Sequence, residues 1–205
     1  MSLWLEPAVF PVLLDSCVLY PYELRDLLLQ VADAHLYRVH WSAQILADTV
    51  RHLLADGRTS PDQAARFCAA MERAFPEAVV EPPAGLADHL SCDPGDRHVL
   101  AAAIAAKAEV IVTLNVRHFP DQALQPLGME AVTPDQFLCH LFDLDPEAIH
   151  ACLETVAARQ RNPARTAEVL LRILSRQAPT FASRCMEFQP SGPFGTTINP
   201  VPGSP

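Results

Sequence analysis

The residues best placed to do chemistry are acids and hydroxyls at the ends of short apolar runs. Asp15 closes Val12-Leu13-Leu14, and Thr113 and Asn115 follow Val110-Ile111-Val112. Asp96 stands at the start of an Ala-rich stretch, and Asp48 lies on the segment opened by Ser42. In open parallel sheets, ligands sit beyond the carboxyl ends of the strands. If the two apolar runs are neighbouring strands, these groups meet at one edge, and grouped carboxylates are what a hard-cation site needs. Each acid also has a plain structural reading. Asp15 can close an Asx turn, Asp93 in Asp93-Pro94-Gly95-Asp96 reads as a turn residue, and Asp96 suits a helix start through the helix dipole. Asp48 can pair with Arg51 or His52 on a solvated face.

The elements that must position these groups alternate between strand and helix. Val12–Leu14 reads as a buried strand, and Tyr22–Ala34 has apolar residues at helical spacing. Ser42 can cap a helix to about Ala55, with Gly57 beyond its end. Ser60-Pro61 opens another to about Phe75. Glu77–Glu81 is a short strand candidate. Val99–Ala108 is apolar almost all round, as in a buried helix. Val110–Val112 reads as a central parallel strand, and Met129–Thr133 as one more strand. This order predicts an α/β fold with a parallel sheet. From Thr133-Pro134 onward, capped amphipathic segments start at Thr133, Pro146 and Asn162-Pro163. The expected organisation is a first unit over 9–133, a helical extension over 134–187 and a Pro/Gly-rich tail over 188–205.

Composition narrows the classes. Of 205 residues, 50% are apolar and 19% charged, enough for a core and against wholesale disorder. No apolar run approaches the roughly 18 residues of a membrane span. Met1–Phe10 carries Glu6 and no Lys or Arg, so it does not read as a secretory signal. A cytoplasmic location is expected, with the six scattered cysteines as small core residues. The net charge of −9 disfavours a generic polyanion binder but leaves room for a local RNA contact. No Gly-rich phosphate loop is present. Asp15-Ser16-Cys17 is not the DxDxT of haloacid-dehalogenase phosphatases, and the cysteine spacing fits no zinc site.

Taken together, VLLDSCVLY (12–20), WSAQILADTVRHL (41–53), DPGDRHVLAAAIAAKAEVIVTLNVRHFP (93–120) and AVTP (131–134) resemble the PIN domain. This is the fold of metal-dependent nucleases that include the VapC-type toxins. The third segment is the most specific, joining acid, Ala-rich helix, apolar strand, TxN and HFP in order. The resemblance spans roughly 9–140 and implies a central parallel sheet flanked by helices. It implies Asp15, Asp48 and Asp96 as ligands of Mg²⁺ or Mn²⁺, with Thr113 and Asn115 orienting a ligand or water. Ser16, Arg97, His98 and Arg117 would support that site or touch substrate. Asn115 and His118 replace acids frequent in the family, and Asp48 is one methylene shorter than the usual Glu.

The activity implied is hydrolysis of RNA phosphodiesters by a divalent-metal-dependent endoribonuclease, the toxin of a type II toxin–antitoxin module. Its implied partners are RNA, a DNA-binding antitoxin and a second copy of itself; no membrane is expected. Two other readings stand beside this one. One is a non-catalytic PIN-fold regulator that binds RNA or protein. The other is a PIN nuclease acting in RNA maturation or on DNA.

Overall fold

The computed structural model describes residues 9–159 and 164–189. Five strands form one all-parallel sheet: β1 (Pro11–Leu14), β2 (Arg38–Ser42), β3 (Val79–Val80), β4 (Val110–Val112) and β5 (Glu130–Val132), in the order β3-β2-β1-β4-β5. Every residue of β1 and of β4 is buried, as expected of central strands covered on both faces by helices. Val12 pairs with Val110 and Leu14 with Val112, so the two apolar runs end side by side. That register places Asp15 and Thr113 at one edge.

The strand β2 was not among the expected elements. Arg38-Val39-His40-Trp41-Ser42 has no continuous apolar run, and it passes directly into a helix, so no turn residues mark its end. Its two large apolar residues, Val39 and Trp41, are nonetheless buried, and His35 at positive φ (61°) turns the chain into it. Trp41 is core, packed edge-on against Phe75.

Helices α1 (Ser16–Leu19), α2 (Tyr22–Asp33), α3 (Ala43–Ala55), α4 (Pro61–Ala74), α5 (Arg97–Ala106) and α6 (Asp121–Leu124) connect the strands. Ser42 Oγ accepts from the Ile45 N–H at the start of α3. Ser60 and Gln63 form a reciprocal capping box on α4. In α5, Val99 through Ala103 are all buried; the run of alanines lets this helix lie close to the sheet.

Four helices follow β5: α7 (Pro134–Leu144), α8 (Pro146–Arg159), α9 (Ala167–Leu174) and α10 (Pro179–Glu187). The sequence suggested three. The proposed Asn162-Pro163 start lies outside the described residues; α9 begins at Ala167, with Thr166 as its cap. The fourth helix has Pro179 in its first turn, and its own cap residue, Ala178, makes no side-chain bond; Asp135 Oδ1 of α7 accepts from the Phe181 N–H at 2.8 Å instead, and Phe181, Ala182 and Cys185 are the residues buried along it. Of the tail expected over 188–205, residues 190–205 also lie outside the description. One continuous apolar core runs from the sheet into these helices. Phe137 of α7 meets Tyr37 edge-to-face at 5.0 Å, and Cys152 of α8 lies against the Gln30 carbonyl of α2. Arg165 adds an ion pair to Glu23 at 2.8 Å.

Candidate active site

Asp15 follows the last residue of β1, and its backbone N–H donates to the Val112 carbonyl of β4 at 3.1 Å. Only 2% of the residue is exposed. Its carboxylate is held by neutral donors. Thr113 Oγ1 donates to Oδ2 at 2.7 Å, Cys17 Sγ to the same oxygen at 3.1 Å and Ser16 Oγ to Oδ1 at 3.3 Å. Among the described residues, no Arg, Lys or His forms an ion pair with it. An ionised carboxylate removed from water without a cation is costly. A buried carboxylate held by neutral donors is therefore suited to a cation at this sheet edge.

Thr113 is fully buried and is the joint of this edge. Besides donating to Asp15, its hydroxyl oxygen accepts from the Asn115 backbone N–H at 3.0 Å. Cys17 forms a second tie, accepting from the Leu114 N–H at 3.2 Å. Burial, with the charge of Asp15 adding to it, pushes the Cys17 thiol up to about 12, so it stays protonated and serves as a donor.

The remaining expected residues gather at the start of α5 and on α3. Asp48 is not simply solvated: Arg51 Nη2 is 2.8 Å from its Oδ1, and His98 Nε2 of α5 is 3.1 Å from its Oδ2. The His98 approach is close but not aligned as a hydrogen bond, so the contact is electrostatic in character. It ties α3 to α5 two residues from Asp96. Asp96 Oδ2 meets His118 Nδ1 at 2.6 Å. Arg97 is half-buried, and its buried Nε has no hydrogen-bond partner among the described residues. Arg117 is exposed, whereas Asn115 is half-buried and joins the edge through its backbone.

One grouping was not anticipated. Asp93, Asp96 and His118 each bring a ligand atom within 4.8 Å of the others, and they are the one set of this kind among the described residues. Asp15 and Asp48 do not join it at that distance. Asp93 does serve the turn, since its Oδ1 accepts from the Gly95 N–H at 2.9 Å, but it also faces the site. The backbone explains how: the Asp93 N–H donates to the His118 carbonyl at 3.1 Å, stitching the DPGD turn to the segment after β4. The signal in the sequence was a second acid three residues before Asp96, across a Pro-Gly turn that folds both carboxylates to one side. Two carboxylates with an imidazole suit a divalent ion that tolerates nitrogen, such as Mn²⁺, as well as one that prefers oxygen.

A separate cleft of about 540 Å³ between Phe10, Glu109, Met129 and His140 lies at the amino ends of the strands and holds none of these acids. Among the described residues, no helix is long and apolar enough to cross a membrane.

Residues 11–117 match the PIN domain family, and residues 134–187 match the VapC50 C-terminal domain. A protein of Mycobacterium tuberculosis named "Putative ribonuclease VapC50" is 46% identical over 104 residues. That stretch takes in 50% of this chain and 62% of the relative, short of two thirds of its length. No solved structure matches the chain.

Proposed function

We infer that this chain, which belongs to the PIN domain family, is a divalent-cation-dependent endoribonuclease acting as the toxin of a toxin–antitoxin pair. The observation that carries the chemistry is Asp15, a buried carboxylate at the carboxyl edge of the sheet with neutral donors around it and, among the described residues, no cationic side chain paired to it. The name of the relative and the matched family support RNA as substrate.

Asp15, Asp48 and Asp96 are the proposed cation ligands, directly or through water, with Asp93 and His118 beside Asp96 as additional donors. Bound there, Mg²⁺ or Mn²⁺ would supply charge neutralisation at a phosphate oxygen and a water of lowered pKa. Thr113 and Cys17 hold Oδ2 of Asp15, so the direction of the carboxylate is set before the phosphate arrives. Thr113 also holds the backbone of Asn115, which positions that carboxamide to hydrogen-bond water or phosphate. Exposed Arg117, and the half-buried Arg97 beside Asp96, are the proposed contacts to the RNA backbone. His98 keeps Asp48 turned toward α5. The cytoplasmic location, the homodimer and the DNA-binding antitoxin are proposed from the family resemblance.

Calorimetric titration of Mg²⁺ and of Mn²⁺ into metal-stripped protein tests this reading against a non-catalytic regulator. Saturable binding that is at least about tenfold weaker in Asp15→Asn is expected. A protein that binds neither ion, or binds both equally after that substitution, would take the chemistry away from this edge.

A further inference from the structure

A cleft of about 410 Å³ opens between the end of α1, the start of α2 and the connection from α3 to α4. Tyr20, Tyr22, Arg25, Leu53, Arg58 and Phe67 line it. Two of these lie on the elements that carry proposed catalytic acids. Tyr20 ends α1, five residues beyond Asp15, and Leu53 is on α3, five residues beyond Asp48. Five helical residues advance about 7.5 Å, and α1 packs against α3. Five residues also turn the helix by about 140°, so the cleft lies on the same two elements as the acids, farther along and round them.

Its chemistry is aromatic and cationic. The Arg58 guanidinium lies over the Tyr20 ring at 5.0 Å, and Arg25 lies over Phe67 at 4.6 Å and Tyr22 at 5.3 Å. Arg25 is buried, with Nη1 donating to the Leu19 carbonyl, whereas Arg58 and Tyr22 face solvent. Among the described residues neither arginine forms an ion pair. Of the acids near these arginines, Asp56 is engaged by the Tyr20 O–H and Glu23 is paired with Arg165, while Asp26 lies toward Arg25. Planar rings and guanidinium groups stack on unpaired bases, and an exposed arginine takes a phosphate.

We propose that this cleft binds a nucleotide of single-stranded RNA next to the scissile phosphate, its base stacking on the Tyr20–Arg58 pair. The proposal rests on the ribonuclease reading and extends it to the substrate's path, from the Asp15 edge across α1 toward the α3–α4 connection. A chain of net charge −9 needs such a local cationic contact to hold a polyanion beside its own carboxylates.

The test is fluorescence anisotropy with a labelled, random-sequence single-stranded RNA. The full chain carries Asp15→Asn to prevent cleavage, alone and with Tyr20→Ala, Tyr20→Phe or Arg58→Ala, over a range of salt. Tyr20→Ala should weaken binding by about 5- to 150-fold, the effect of losing one stacked base. Tyr20→Phe, which keeps the ring, should bind as its parent does. Arg58→Ala should lower the slope of log affinity against log salt by about 0.7, the loss of one phosphate contact; being on the surface, it decides the matter even if Tyr20→Ala unfolds. Unchanged affinity and slope in both alanine variants, with the parent still binding RNA, would overturn the proposal. The ribonuclease reading would then stand and the cleft would be left to a protein ligand. If the parent binds no RNA and the unsubstituted chain cuts none, the ribonuclease reading fails first and this proposal with it.

Discussion

Replacing Thr113 by Val removes one oxygen and keeps the shape of a fully buried side chain. That oxygen donates to Asp15 Oδ2 at 2.7 Å and accepts from the Asn115 N–H at 3.0 Å. A hydrogen bond to a charged group contributes about 1.5–3 kcal/mol, and a partly buried N–H left without an acceptor costs about 1 kcal/mol more. The added methyl returns about 0.8 kcal/mol. The net loss is therefore about 2–3 kcal/mol, a fall in Tm of about 4–12 °C for a chain of this size. Thr113→Ser keeps the hydroxyl and gives up one methyl, at about 1 kcal/mol. Thermal and urea unfolding followed by circular dichroism would measure both, and initial RNA cleavage rates would show whether Asp15 has lost its aim, by about 10- to 100-fold in Val and little in Ser. If Val proves as stable and active as Thr, or Ser as damaging as Val, the hydroxyl is not the joint of this edge.

Asp96→Asn should stop cleavage. Asp93→Asn should keep its turn, since an amide oxygen can still accept from Gly95, and should weaken Mn²⁺ binding by about tenfold in calorimetry; unchanged Mn²⁺ affinity would separate Asp93 from the site. Burial pushes the Cys185 thiol up to about 12 from about 9 in the unfolded chain. The folded state therefore keeps a proton that the unfolded state gives up. Its contribution to stability is complete below about pH 9 and is lost as pH rises toward 12. Cys185→Ala should flatten that alkaline fall in the urea midpoint, and parallel curves for the two proteins would contradict it. A chain ending at Asp143 loses α8, which covers one face of α2, and it should aggregate in size-exclusion chromatography; a monomeric product with the full-length Tm would show that the face needs no cover.

How much could be read beforehand depended on how local each feature is. Val110-Ile111-Val112 and the Ser42, Ser60 and Thr133 caps are local patterns, and the structure forms each of them. The strand β2 escaped notice because its burial comes from the sheet around it, not from its own alternating residues. Helix α10 escaped because neighbouring helices, not a cap of its own, hold it in place. The same holds at the site. Asp15 with Thr113 followed from two apolar runs ending together, whereas the meeting of Asp93 with His118 depends on a backbone hydrogen bond across 25 residues, which no spacing rule displays. Cys17 looked like a small core residue. Its thiol instead bridges Asp15, Thr113 and Leu114, because the first turn of α1 folds back over the strand end.

Cleavage itself tests the account most directly. Total RNA would be incubated with the full-length chain and with Asp15→Asn, in Mg²⁺, in Mn²⁺ and in EDTA, and the new ends sequenced. Discrete new ends are expected with the unsubstituted protein and either ion, none in EDTA and none with Asp15→Asn, while circular dichroism shows both proteins folded with and without metal. Cleavage that persists in EDTA, or at full rate in Asp15→Asn, would contradict cation-assisted hydrolysis at the carboxyl edge of this sheet.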